Sequence, residues 1–540
     1  MTPEARTAVL RRYLPPGVAD RRARLPVAFT AARVRAVRPA AEALARRVLP
    51  LTGILVLALA LRVWRLDAVG FNSDEAVYAG QAASITGDPE SLPFFPVFRA
   101  HPLLFHTTVS VVFEVFGVSD LAARLTSVAF GVGGVVVAYL IGKELYGRTT
   151  GLLGALLVAV MPYWVIVSRQ VLLDGPQSFL AGLSIWALAR FVNRRSTGWL
   201  FTSAVFLGLS VLAKETSIIL GGSVFAFFAL SPGLRLGARR LAGACLVFVA
   251  VVAAYPLSLR LAGAASTGGA FITYQLFRRP NHGLEFYPLV VPPALGVGVV
   301  VAALALAVLT WRRATWRETL LWCWVVVPVA FFELFPVKGY QYLLPAAVPI
   351  AVLAARALLT WPRWWADRRG PVHRGVPRLV VLAVLLGSLA PTVGALTGTE
   401  RDTALAGTGG LPGGRELGAW IQENVPEGVT MMTIGPSMAN IIKWYGGRQS
   451  LGLSVSPNPL YRNPVYDPIP NPDLAIRRNQ VQYVVWDSFS ADRSSFFSDS
   501  VMRYVERYNG REVHRQEIER TDDSGEPTRV PVIIVYEVRP

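Results

Sequence analysis

The chain has 540 residues, with 53 Lys+Arg against 35 Asp+Glu, a formal charge of +18 and a mean hydropathy of +0.43. Only 16% of residues are charged, below the roughly 25% of ordinary soluble domains, which excludes a disordered chain and argues against a cytosolic enzyme. The positive excess falls within residues 1–399, while 400–540 is close to neutral. No soluble basic domain holds the charge, so no nucleic-acid partner is expected, and a membrane protein obeying the positive-inside rule accounts for it.

Residues 1–48 are rich in arginine and proline, with no apolar run and no cleavable signal, and are expected to form a cytoplasmic arm near anionic lipid. Apolar stretches follow at 50–66, 120–142, 150–167, 176–192, 199–213, 215–230, 241–260, 289–310, 319–336, 340–360 and 377–397, most of them near the roughly 20 residues needed to cross the hydrocarbon core. Basic loops at 143–148, 190–196, 235–240, 311–317 and 361–374 are assigned to the cytoplasm. That puts 67–119, the turn at Asp174, the turn at 214–216, residues 261–288, the turn at 336–340 and everything after 398 on the outer side. Residues 102–117 are apolar but short and carry His106 and Glu114, which are costly in hydrocarbon; they are predicted to lie as an interfacial helix inside the first external loop. Cys245 and Cys323 stand in apolar runs, so neither a disulfide framework nor a cysteine metal site is expected.

Beyond 399 the pattern changes. Residues 415–425 predict an amphipathic helix, 429–434 a strand, 438–445 a second helix and 448–455 a strand. A Pro/Asn-rich loop spans 456–473, a buried strand covers 481–486, a helix 501–508, and two strands close the chain. The expected architecture is an α-helical polytopic membrane protein with about eleven transmembrane helices and a C-terminal extracytoplasmic α/β domain, divided as arm 1–48, membrane module 49–398 and outer domain 399–540.

Acids in such a chain are informative because burying them is costly. Asp74 and Glu75 follow the first span; they are candidates for catalysis, or simply acids favoured by a helix N-terminus. Arg169 and Asp174 mark another external span end and could equally be an ion pair between helices. Lys214 and Glu215 lie between two short apolar runs, where the alternative is a plain turn. The loop 271–288 carries Arg278 and Arg279, which are otherwise solvated loop charges, and Lys338, Tyr340 and Tyr342 cluster at the next external turn. External cations run against the positive-inside bias, and a phosphate ligand accounts for them, with Arg suited to bidentate contact. A lipid-linked phosphate substrate met at the outer leaflet follows, with a carboxylate as general base and cations on the departing phosphate.

The stretch SDEAVYAGQAASITGD, then HPLLFH, then residues 116–176 resembles the GT-C glycosyltransferases, and within them the branch of protein O-mannosyltransferases and lipid A aminoarabinose transferases. LAKET at 212–216 is similar to the family's Leu-Thr-Lys-Gly, and VKGYQYLLPAAVP to its Lys-x-x-Tyr-Tyr-Leu-Leu-Pro segment. The resemblance covers about residues 50–360. It implies a GT-C-like fold and transfer of a hexose or pentose from a polyprenyl-phosphate donor to an extracytoplasmic protein, lipid or glycan. Asp74 matches the first-loop catalytic aspartate, with Glu75 beside it, and Asp174 the second acid. His101 stands where the family commonly has a lysine that contacts the carrier phosphate. No cofactor is required on this reading; the other reading is a divalent metal held by Asp74, Glu75, His101 and His106. Competing functions are a lipid or sugar flippase, which should show mid-membrane acids and inverted repeats, and a non-catalytic scaffold.

Overall fold

In a computed structural model of the chain, residues 48–234, 236–310, 312–373, 375–397, 411–521 and 526–540 are described. The arginine-rich arm up to residue 47 and the boundary near 398 lie outside them. Residues 55–540 cluster as one unit and 1–54 as another.

The helical part runs α1 Val48–Val63, α2 Ser73–Ile85, α3 Leu104–Phe116, α4 Asp120–Tyr146, α5 Arg148–Val160, α6 Pro162–Val167, α7 Asp174–Arg194 and α8 Thr197–Ala213. After a 3₁₀ turn at Glu215–Ile219 come α9 Leu220–Ala229, α10 Ala238–Leu261, α11 Ala265–Phe277, α12 Phe286–Leu295, α13 Val297–Thr310, α14 Trp316–Leu334, a second 3₁₀ turn at Tyr340–Ala346, α15 Ala347–Arg369 and α16 Gly375–Thr397. Each of the eleven predicted apolar stretches is largely helical. Among the described residues four helices are long and apolar enough to cross a membrane: α4, α10, the run Tyr340–Arg369 and α16. The pair α12 and α13 makes a fifth if it counts as one span bent by 101°. The bend follows from Pro292 and Pro293 inside α12 and from Gly296 at φ +89, because proline removes a ladder donor and glycine alone tolerates that φ freely. Residues 261–288, read from the sequence as a loop, contain α11. The stretch 150–167 breaks into α5 and α6 at Met161, whose extended backbone precedes Pro162.

Small residues let the central helices approach closely. A Cβ on Gly134 of α4 would stand 2.0 Å from the Trp164 ring, and one on Gly142 would stand 2.7 Å from the Gly151 backbone of α5.

The C-terminal segment runs α17 Gly414–Asn424, β1 Thr430–Thr433, α18 Pro436–Ile441, β2 Gln449–Gly452, α19 Pro472–Arg477, β3 Tyr483–Asp487, α20 Ser488–Arg493, α21 Ser495–Arg507, β4 Arg511–Thr521 and β5 Pro527–Glu537. The strands form one sheet in the order β2-β1-β3-β5-β4. β1 is parallel to both β2 and β3, and the remaining pairs are antiparallel. This segment shares a core with the stretch that follows α1: Phe71, Ala76 and Ala79 belong to the same buried cluster as Leu417, Met431, Ile441 and Val485. Asp120, at the start of α4, accepts from Arg415, Trp444 and Tyr445, and the Tyr445 hydroxyl accepts from Phe71 N at 2.7 Å.

One buried carboxyl in this segment yields a stability prediction. Asp487 caps α20, its Oδ1 accepting from Ser490 N at 2.7 Å, while its Oδ2 is buried without a hydrogen-bond partner. Burial pushes its pKa up to about 6. A carboxyl whose folded pKa lies above its unfolded value loses stability as pH rises between the two, so the cost appears from about pH 4 to about pH 6. Asp487→Asn keeps a capping oxygen and removes the charge. Thermal unfolding should show the variant gaining up to about 3 kcal/mol over wild type above that window and nothing below it; a gap independent of pH would refute the assignment.

Candidate active site

α2 is built to present one acid and bury the next. Asn72 caps it, Oδ1 accepting from Glu75 N at 2.9 Å while Glu75 Oε2 accepts from Asn72 N at 3.1 Å. Successive helical residues project about 100° apart, so Asp74 and Glu75 meet different surroundings. Glu75 is fully buried and bound in bidentate fashion by Arg124, with both contacts at 2.9 Å; it also accepts from Val171 N at 3.1 Å. Arg124 spends its remaining donors on the carbonyls of Leu66, Val69 and Gly70. Glu75 therefore does not line the site: its acceptors hold the first loop together, which corrects its reading as a catalytic acid.

Asp74 instead lines a cavity of about 590 Å³ and makes no hydrogen bond or ion pair among the described residues. Burial pushes its carboxyl above the ordinary aspartate range, and Lys214, His101 and Arg278 pull against that shift. The cavity's apolar wall comes from α11, α14 and the first 3₁₀ turn, including Ile218, Phe271, Ile272, Leu276, Phe331 and Phe335. The opposite wall carries Ser437, Asn463, Tyr466, Phe489 and Arg493 from the C-terminal segment. Asn440 ties that wall to α2, donating to Ser73 Oγ at 3.0 Å and to Tyr466 Oη at 3.3 Å.

The other sequence candidates divide. His101, Lys214, Arg278, Lys338 and Tyr342 line the cavity with Asp74. Lys214 donates to both oxygens of Asp174, at 2.8 and 2.9 Å, and lies 4.7 Å from the centre of the Tyr342 ring. Asp174 is buried behind it and does not line the cavity; the ion pair between helices is what forms. Arg278 lies over Tyr274 at 5.6 Å. Lys338 caps α14, its Nζ donating to the carbonyl of Glu333 at 2.5 Å and to those of Phe332 and Phe335 at 3.4 Å.

Three candidates lie elsewhere. Arg169 is buried and donates to the carbonyls of Leu61 and Arg62 in the last turn of α1 and of Arg65 just beyond it. Arg279 stacks over Tyr461 at 5.0 Å. Tyr340 is buried against Tyr163, whose hydroxyl donates to its carbonyl. The sequence reading missed Tyr78 on α2, Gln341 in the second 3₁₀ turn, and Asn463, Tyr466 and Arg493; nothing in the local pattern of 456–493 marked the last three, which reach the site through the fold of the C-terminal segment.

The metal reading does not fit the geometry. Among the described residues no group of three His, Cys, Asp or Glu side chains is arranged to hold an ion. Of the four proposed ligands, Glu75 is saturated by Arg124 and two backbone amides, His101 Nδ1 sits 2.8 Å from Glu215 Oε2, and His106 is fully buried with Tyr78 5.4 Å from its ring centre.

The sequence model of the dolichyl-phosphate-mannose-protein mannosyltransferase family matches residues 100–259. An uncharacterised protein of Aquifex aeolicus (strain VF5) is 25% identical over 209 residues, 36% of this chain and 41% of that protein, so the chain spans less than half of that curated relative. Among solved structures, ArnT from Cupriavidus metallidurans in the apo state is similar with a TM-score of 0.64 at 15% identity, over 92% of this chain and 98% of that one. This chain is a membrane protein with the GT-C glycosyltransferase fold. The GT-C likeness extends to AglB from Archaeoglobus fulgidus, with a TM-score of 0.57 at 14% identity over 90% of this chain and 74% of that one. ArnT has been crystallised with undecaprenyl phosphate, and that AglB structure holds an inhibitory peptide and a dolichol-phosphate.

Proposed function

We propose that the protein is an integral-membrane glycosyltransferase that moves a sugar from a polyprenyl-phosphate donor to a hydroxyl acceptor outside the cytoplasm, with Asp74 as general base. The observation that carries this is the cavity itself: an unpaired carboxylate at a helix N-terminus, cationic side chains around it, and one apolar wall. The apolar wall suits a prenyl chain, and Arg278 suits its phosphate, with Lys214 and Lys338, whose donors are engaged by Asp174 and by backbone carbonyls, adding positive charge to the lining. In the reaction Asp74 takes the proton of the acceptor hydroxyl as the new C–O bond forms at the anomeric carbon. The bond from that carbon to the phosphate oxygen breaks, and the electron pair leaves with polyprenyl phosphate. The polyprenyl-phosphate ligands of ArnT and AglB support the donor class. Hexose and pentose both remain within this reading, as do protein, lipid and glycan acceptors.

The same reading keeps eleven spans in the cell membrane, the N-terminus in the cytoplasm and residues 399–540 on the outer side. Full-length protein in vesicles, given polyprenyl-phosphate mannose labelled in the sugar together with cell-envelope extract, should release polyprenyl phosphate as label passes to a non-lipid or new lipid product. Label crossing the bilayer still attached to its carrier, without covalent transfer, would instead identify a flippase.

A further inference from the structure

Two cations meet where the stretch before α3 touches the C-terminal segment. Arg99 is 4% exposed, and its Nε and Nη1 are buried without a hydrogen-bond partner. Its guanidinium lies over the ring of Tyr466, 5.2 Å from the centre. Lys443, half-buried just after α18, is its neighbour: burial, and then the charge of Arg99, hold the Lys443 amine down at about 8. Neither cation makes a hydrogen bond or an ion pair among the described residues. Asp467 acts on both through its field, so two positive charges share one acid that pairs with neither. Asn440 adds a third unmet group: its Nδ2 donates to Ser73 and Tyr466, while its Oδ1 is buried without a partner.

A guanidinium buried without acceptors is costly, and the Tyr466 ring offsets only part of that cost. Buried arginines that serve packing spend their donors inside the chain, as Arg124 does on Glu75 and Arg169 does on the carbonyls at the end of α1. Arg99 does not. Tyr466 lines the catalytic cavity and Ser73 precedes Asp74, whereas Arg99 and Lys443 stand outside the cavity lining. Resting on the transfer reaction proposed above, we infer that Arg99 and Lys443 form an anion subsite for the acceptor, which carries a phosphate or carboxylate beside the hydroxyl that Asp74 deprotonates. Arg99 supplies charge-assisted donors to its oxygens, Lys443 adds a point charge, and Asn440 Oδ1 accepts from a neighbouring hydroxyl. Half-exposed Lys443 leaves the subsite open to the outside, and Tyr466 borders the cavity, so the acceptor reaches from one to the other. The donor phosphate keeps its own place beside Arg278.

The test measures equilibrium binding of small probes to the full-length protein in phosphatidylcholine nanodiscs, with undecaprenyl phosphate added in excess to fill the donor's place. Glycerol 3-phosphate and methyl glucuronide carry the anion; glycerol and methyl glucoside are their neutral counterparts. At least one anionic probe should bind about ten-fold more tightly than its counterpart, and which one does so separates phosphate from carboxylate. Arg99→Gln and Lys443→Gln should each erase most of that preference and leave undecaprenyl phosphate binding unchanged. Because Arg99→Gln removes a buried charge that lacks an acceptor, it should not lower the melting temperature of the probe-free protein. Equal binding of anionic and neutral probes by wild type overturns the inference, and so does a preference that survives both substitutions. An Arg99→Gln variant that melts early, beside a Lys443→Gln variant that keeps the preference in full, overturns it too and assigns Arg99 to packing. Protein that binds no undecaprenyl phosphate yet keeps an Arg99-dependent preference overturns the donor reading and leaves the anion subsite standing.

Discussion

Asp74→Asn is expected to lower sugar transfer by about 10²- to 10⁴-fold while leaving the fold and donor binding in place. The asparagine matches the aspartate in shape and occupies the same second position of α2, where the cap is made by Asn72 and Glu75 rather than by residue 74. Nothing among the described residues depends on the Asp74 carboxylate for a hydrogen bond, so unfolding temperature should barely move. What disappears is a carboxylate facing the cavity with its proton affinity raised by burial, which moves it toward the range useful to a base at neutral pH. The active form is the deprotonated one, so the acid limb of the pH–rate profile should rise with pH and lie above the ordinary aspartate range. Rates are to be measured on purified protein under saturating donor. A loss smaller than about three-fold at that donor concentration would remove Asp74 from the chemistry, since a general base contributes far more.

Glu75→Ala should fail differently. It strands Arg124 without its counter-charge in a buried site, and breaking a buried pair in this way costs about 3–5 kcal/mol. The chain should melt early and accumulate poorly, yet the folded fraction should turn over at close to the wild-type rate. Arg124→Met should reproduce the defect. Combining the two changes should cost less than the sum of the single losses, because each single variant leaves the other charge unpaired. Glu75→Ala protein with normal melting and no transfer would return Glu75 to the active site.

These two neighbours show what sequence could and could not reveal. The pair at 74–75, the cations at 214, 278 and 338, and His101 were legible because charge is conspicuous in an apolar chain, and all but Glu75 of this group line the cavity. Which acid faces the cavity was not legible, because that depends on Arg124, 49 positions away from Glu75. The same holds for Asp174, neutralised by a lysine 40 positions on, and for Arg169, whose partners are backbone carbonyls at the end of α1 and carry no sequence signature at all. Apolar runs located the helices, but the 101° bend after α12 required a glycine and two prolines to act together. The polar wall built by Asn463, Tyr466 and Arg493 arises from sheet topology, which hydrophobic periodicity does not encode.

The shared core between α2 and the C-terminal sheet also sets an order of events during synthesis. Phe71 N and the Tyr445 hydroxyl, hydrogen-bonded at 2.7 Å, are 374 positions apart. α2 can pack early against Phe105, Val109 and Phe113 of α3, but every helix from α3 to α16 must leave the ribosome before the C-terminal share of its core is made. Contacts of such long sequence separation form late and leave their surfaces exposed in the meantime. The nascent stretch around Asp74 waits, with the part of its cavity supplied by Ser437, Asn463, Tyr466, Phe489 and Arg493 not yet translated. A chain truncated before residue 411 would never leave that state, and its expected fate is degradation rather than partial activity.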